Sequence, residues 1–149
     1  MQNKLIILGL VLVSLYFSRG KILRLINPPN IAQAMKHLRL CEGKKICAII
    51  YVAPWCPACN QMLPEISRIL QASEGNPDHE VVVIVGKGAD PIENNEKALE
   101  IGPLAITDNR SVIHDAFKID RYPTFMLVNS QHQIVSTDQE AYIWMAEHF

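Results

Sequence analysis

The chain lacks the marks of several large functional classes. Neither charge is in surplus: 14 Lys and Arg against 15 Asp and Glu leave a formal net charge of −1. No basic surface for nucleic acid is therefore expected. Histidine and cysteine are not grouped at metal-ligand spacing. The five histidines, at 37, 79, 114, 132 and 148, are scattered. A strand-forming run separates Cys47 from Cys56, so a zinc site is set aside, and no metal or cofactor is expected. The four cysteines are too few for a disulfide-built scaffold in a chain of 149 residues. Repeats and low-complexity segments are absent. Gly86-Lys87-Gly88 lacks the rest of a phosphate-binding loop and reads as a plain loop. What is left is the length and composition of one domain with a real core.

The first 29 residues are a different kind of sequence. Lys4 precedes an apolar run from Leu5 to Phe17, followed by Ser18-Arg19-Gly20-Lys21. A short basic start and an apolar core of this length describe a secretory signal, and the small residues Ser18 and Gly20 fit cleavage after Gly20. The alternative is an uncleaved anchor that attaches the chain to a membrane through residues 5–17. That run is shorter than the ~18–20 residues that span a bilayer comfortably. Arg19, Lys21 and Arg24 outnumber Lys4, and the positive-inside tendency alone would hold the C-terminal side in the cytoplasm. An ordinary buried first helix is the third reading. Export accounts best for the run, giving a signal or anchor at 1–20, a linker at 21–29 and one domain at 30–149. The expected location is extracytoplasmic, a periplasm or secretory lumen.

Within the domain, Asn27-Pro28-Pro29-Asn30 breaks any helix and caps the next, an amphipathic one carrying Ile31, Ala34, Met35, Leu38 and Leu40. The run Ile46–Val52 reads as a buried strand. Apolar residues at 62, 63, 66, 69 and 70 then keep helical spacing. Glu80–Val85 is the clearest strand in the chain. An interlude over 86–105 holds a loop, a helix near 92–101 and a short strand at Pro103–Ile106, and a further helix fits Ser111–Ile119. Phe125–Val128 and Gln133–Ser136 form an antiparallel hairpin across a polar turn, and a last helix spans 139–148. Asp90, Glu93 and Glu96 read as a solvated face. The order β-α-β-α-β-β-α after an initial helix gives an α/β fold with a mixed sheet.

Ala53-Pro54-Trp55-Cys56-Pro57-Ala58-Cys59 therefore falls where a strand ends and a helix begins. The first turn of a helix leaves N–H groups unpaired and carries partial positive charge, so a sulfur there is stabilised as thiolate. Thiolate is the form that attacks disulfides, and Cys-x-x-Cys pairs at helix starts have lowered pKa values. Cys56 is placed at the exposed helix start, with Cys59 a turn deeper. Proline at position 57 suits the first helical position but removes one N–H that would have supported the thiolate. A Cys56 pKa of about 6–7.5 is expected, competent for attack at neutral pH.

The Cys-x-x-Cys segment resembles the active-site motif of the thioredoxin superfamily, its first four residues being most similar to protein disulfide isomerase domains. Pro64 matches the proline that kinks the active-site helix in thioredoxins, and Tyr122-Pro123-Thr124 matches the cis-proline segment facing the cysteines. The resemblance covers residues 30–149. The long interlude bears a weaker resemblance to exported TlpA-like thioredoxins, which tend to be tethered reductases, although the start of their inserted hairpin is not evident. The resemblance implies a thioredoxin-like fold, with a mixed central sheet flanked by helices and preceded by the apolar segment. It implies a thiol–disulfide oxidoreductase acting on protein disulfides, favoured in the reductase direction, with Cys56 and Cys59 catalytic. It also implies a substrate groove bordered by Trp55, Tyr122 and Pro123, and a cis bond before Pro123. Protein thiols and disulfides and a redox partner are the expected partners of a monomer. The competing reading is a thioredoxin-like binding or chaperone module whose cysteines turn over little. One departure bears on mechanism: where thioredoxin carries a buried aspartate six residues before the first cysteine, this chain has Ile50, which accepts no proton.

Cys41 and Cys47 bracket a helix-to-strand turn. Such a turn brings two positions within disulfide range without requiring a bond. A structural bridge, or a buried Cys47 beside an unrelated surface thiol at Cys41, both fit the spacing.

Overall fold

The structure is a computed structural model that describes residues 30–149; the expected signal or anchor and the linker lie outside the described residues. Among the described residues no helix is long and apolar enough to cross a membrane.

Asn30 opens the domain as an N-cap, its side chain accepting from the Ala32 N–H, and α1 runs Ile31–His37. The helix ends earlier than its apolar spacing suggests. Arg39 and Cys41 take left-handed backbone (φ 52° and 55°), which turns the chain while Leu40 stays buried. β1 (Ile46–Val52) follows, then α2 (Pro57–Ala72), β2 (His79–Val85), α3 (Pro91–Ile101) and β3 (Ala105–Thr107). α4 (Val112–Phe117), β4 (Thr124–Asn129), β5 (Ile134–Thr137) and α5 (Asp138–His148) complete the chain.

The five strands form one mixed sheet in the order β3-β2-β1-β4-β5. β1 runs parallel to β2 and antiparallel to β4, β3 is parallel to β2, and β4–β5 is an antiparallel hairpin with a register shift at Leu127/Val128. The order has one strand and one helix more than β-α-β-α-β-β-α: β3 and α4, which fall at the short strand expected over Pro103–Ile106 and the helix expected over Ser111–Ile119. Pro103 and Leu104 lie in the turn before β3, consistent with a residue that has no N–H to give a ladder.

Because side chains alternate along a strand, β1 divides the interior into two layers. Ala48, Ile50 and Val52 face a cluster containing Ile66 and Ile69 of α2, Ala98 and Ile101 of α3, and Ala141 and Met145 of α5. Cys47, Ile49 and Tyr51 face the other, with Ala34 and Met35 of α1 and Ile113 and Phe117 of α4. The central strand is thus covered on both sides, which is why it reads as an unbroken apolar run.

Cys41 and Cys47 are joined by a disulfide with a Cα–Cα separation of 5.5 Å. Both are buried, at the start of β1 and away from the Cys-x-x-Cys end.

Candidate active site

β1 ends at Val52, and the chain turns at once: the Cys56 N–H donates to the Ala53 carbonyl at 3.1 Å. Cys56 is the N-cap of α2, with extended backbone, and Pro57 occupies the start of the helix, where its missing N–H and fixed φ do least harm. The Cys56 Sγ accepts the Cys59 N–H at 3.1 Å, and the two cysteines are joined by a disulfide with Cα atoms 5.2 Å apart. That N–H and the positive end of a 16-residue helix both favour negative charge on the sulfur once the bond is reduced. Pro64 lies inside α2.

The expectation of an exposed Cys56 needs correction for this disulfide-bonded form. Cys56 is 3% exposed and Cys59 not at all, both within the apolar cluster that holds Ile50 and Phe125. The Cys56 side chain turns inward to bond its partner. The residue that stands out in solvent is Trp55, 57% exposed.

Trp55 and Tyr122 come together from segments well apart in the chain. Their rings meet edge to face, 5.3 Å between centroids, and the Trp55 indole N–H donates to the Lys87 carbonyl at 2.6 Å. Tyr122 is half-buried and packs against both apolar clusters, including the one that contains the cysteine pair. Burial, assisted by Asp120, pushes its phenol pKa up. The Tyr122–Pro123 bond is cis, and the Thr124 hydroxyl donates to the Arg121 carbonyl across the bend. Trp55, Tyr122 and the loop at Lys87 therefore meet as one rim, with Tyr122 packed on the cluster that contains the cysteine pair.

Beneath that rim lies a polar pair that the sequence did not disclose. Tyr51, fully buried, donates its hydroxyl to Asp108 at 3.1 Å. Asp108 also accepts from the Val112 N–H at 2.7 Å and the His114 N–H at 2.9 Å, so it caps α4 where Ser111 does not. Burial, then the Asp108 charge, drives the Tyr51 phenol well above the ordinary tyrosine range. The Tyr51 ring lies 6.0 Å from that of Tyr122, and the His114 ring stacks on Tyr122 at 6.5 Å. Gly86 makes room for this: a Cβ there would fall 1.9 Å from the Tyr51 hydroxyl oxygen.

α3 braces the site from the other side. Asn94 accepts the Gly88 N–H at 2.8 Å, holding the loop on which Trp55 rests. Lys97, only 8% exposed, donates to the Asn60 side-chain carbonyl at 2.6 Å and pairs with Glu100 at 2.8 Å. Asp90 and Glu93, expected on a solvated face, form a reciprocal cap on α3: Asp90 accepts the Glu93 N–H at 2.9 Å, and Glu93 accepts the Ala89 N–H. A polar residue at 90 followed by Glu three later is the one signal that would have found it. Nothing in the local pattern marks Asp108 as the partner of Tyr51 or Lys97 as the partner of Asn60, 57 and 37 residues away. Among the described residues, no group of three or more His, Cys, Asp or Glu is placed to hold a metal ion.

No family model matches the chain, and no curated protein matches its sequence. Solved structures do. StoA from Bacillus subtilis is 20% identical, with a TM-score of 0.55 over 65% of this chain and 75% of that one. A secreted Mycobacterium tuberculosis disulfide oxidoreductase, homologous to E. coli DsbE, is 22% identical, with a TM-score of 0.51 over 63% and 68%. The exposed lipoprotein thioredoxin of Streptococcus pneumoniae is 19% identical, with a TM-score of 0.53 over 70% and 85%. A Cys-x-x-Cys pair at the start of α2, a central β1 between a parallel and an antiparallel neighbour, and this likeness in space give the chain the thioredoxin-like fold.

Proposed function

We propose that this chain is a thiol–disulfide oxidoreductase that acts on protein disulfides outside the cytoplasm. The observation that carries the reading is the Cys56–Cys59 pair at the N-terminus of α2, with Cys56 Sγ as the helix cap. In the reductase direction, the Cys56 thiolate attacks one sulfur of a substrate disulfide. A mixed disulfide forms as the substrate's other sulfur leaves as thiolate. Cys59, losing its proton, then attacks the Cys56 sulfur, the second substrate thiol departs, and the Cys56–Cys59 bond closes. Two electrons pass from the cysteine pair to the substrate. Trp55, Tyr122 and Pro123 form the rim against which an extended segment of the substrate lies, presenting its disulfide to Cys56.

The fold neighbours support the reading in kind: one is described as a secreted disulfide oxidoreductase and another as an exposed lipoprotein thioredoxin. The apolar run at 5–17 fits the same location, as a signal or an anchor. The experiment is reduction of a simple protein disulfide by the pre-reduced domain, with Cys56→Ser alongside. Stoichiometric reduction by the native domain and none by the variant is expected. A native domain that binds the substrate but transfers no electrons would instead make this a binding module.

A further inference from the structure

We propose that Lys97 sets the acidity of the Cys56/Cys59 thiols, as a positioning residue that holds a positive charge beside the first turns of α2. This rests on the oxidoreductase reading above. Lysine is rarely this buried unless its ammonium is partnered, and the two partners here are unequal. Asn60, the residue after Cys59, accepts from the ammonium at 2.6 Å and carries no charge. Glu100, at 2.8 Å, has a side chain that is 57% exposed. The cation is thus shielded from water while its counter-charge is largely hydrated, so a net positive field remains on the protein side.

The place of this charge is the second observation. Asn60 lies in the first turns of α2, near the positive end of the helix dipole, where a further cation is unfavourable for the helix alone. The neighbours of Lys97 on α3, Ala98 and Ile101, lie in the apolar cluster that contains both cysteines. A thiolate there is the anion that such a cation favours. Beyond the Cys59 N–H and the positive end of α2, the site offers a thiolate little: Pro57 gives no N–H, and position 50 is isoleucine. The other ionisable groups around the pair do not take this role. α2 has no acidic residue in its first turn, Tyr122 is a phenol whose pKa burial raises, and Lys87 meets the site through its backbone carbonyl.

The test is the pH dependence of alkylation at each cysteine of the fully reduced protein, read peptide by peptide by mass spectrometry. Lys97→Met should raise the pKa of the more acidic thiol of the pair by roughly 0.5–1 unit. Glu100→Gln should lower it, and Lys97→Arg should keep the native value. The opposite signs separate a charge effect from a mere strut between α3 and α2, since loosening a strut moves both variants the same way. No shift in Lys97→Met, or equal-sign shifts in Lys97→Met and Glu100→Gln, would overturn the inference. Glu100 is exposed, so Glu100→Gln carries the sign test should Lys97→Met fail to fold; a pKa that does not fall in Glu100→Gln then overturns the inference. A native thiol at the ordinary ~8.5 overturns this inference, and a pre-reduced native domain that reduces no protein disulfide removes the oxidoreductase reading together with it. A lowered native pKa that Lys97→Met leaves in place removes this one alone.

Discussion

Placing an acid at position 50 asks whether proton transfer at Cys59 limits release of substrate. Ile50 has no exposed surface, is flanked in the sheet by Val83 and Phe125, and shares its apolar cluster with both cysteines. Ile50→Asp therefore does two separable things. It removes packed aliphatic surface, a loss of about 2–5 kcal/mol for a large-to-small change in a core. It also buries a carboxyl with no partner, and desolvation raises the pKa of such a group. If that pKa rises from ~3.9 to ~7, the further loss at neutral pH is about 4 kcal/mol, at 1.36 kcal/mol per unit. The sign follows from a folded-state pKa above the unfolded one. The penalty is absent below pH ~4, grows as pH rises, and levels off above the folded pKa. Urea unfolding should then show the variant about 2 kcal/mol weaker at pH 7 than at pH 5, beyond any change in the native protein. Ile50→Asn, with the same hole and no proton to lose, should show no such added dependence. The functional readout is the rate at which Cys59 resolves a preformed mixed disulfide at Cys56, by stopped flow. Ile50→Asp should speed that step as pH passes its folded pKa, and Ile50→Asn should not. A folded Ile50→Asp that resolves at the native rate across this range would show that the missing acid is not limiting.

Three further outcomes are expected. Cys59→Ala should trap a mixed disulfide through Cys56 on non-reducing gels, and Cys56→Ala should trap none; equal trapping by both would reverse the assigned roles. Gly86→Ala should destabilise the native protein by about 3–5 kcal/mol, because the new methyl group overpacks the site and drives the Tyr51 hydroxyl off Asp108. In a Tyr51→Phe background the same change should lose roughly 2 kcal/mol less, and strictly additive losses in denaturant melts would refute this coupling. Thiol counting on the oxidised, denatured protein should find no free thiol, and replacing Cys41 and Cys47 together by Ser should lower stability by about 2 kcal/mol, as suits a short closed loop.

The parts of the site that were legible in the sequence are those carried by local chemistry. A seven-residue apolar run, two cysteines and a proline at the start of α2 mark a strand-to-helix corner without any knowledge of the sheet. Tyr122-Pro123 was legible only through resemblance, since nothing local says that it returns to Trp55, 67 residues earlier in the chain. Asp108 shows the other limit. It sits in a polar stretch, Thr107-Asp108-Asn109-Arg110, that reads as loop, and its role depends on α4 folding over β1 so that Tyr51 can reach it. Lys97 was hidden because a charged residue in an amphipathic helix reads as solvated, and only the approach of α3 to α2 covers it. The last turn of α1 was over-read because apolar spacing continued to Leu40 while the backbone at Arg39 had already reversed. Periodicity reports which side chains want burial, and a tight turn can bury them as well as a helix.

β1 carries a disulfide at each end, and the two belong to opposite layers of the interior: Cys47 to one, and Cys56, past the far end of the strand, to the other. Seven residues of extended chain set them roughly 20 Å apart along the strand, with the sheet itself as a partition. The native fold thus insulates one pair of sulfurs from the other. In the oxidoreductase function proposed above, electrons would enter or leave the Cys56–Cys59 pair without the Cys41–Cys47 bond exchanging partners. A chain found with crossed pairings, such as Cys47 with Cys56, would be a record that the sheet had come apart, and disulfide mapping on aged protein becomes a history of its unfolding.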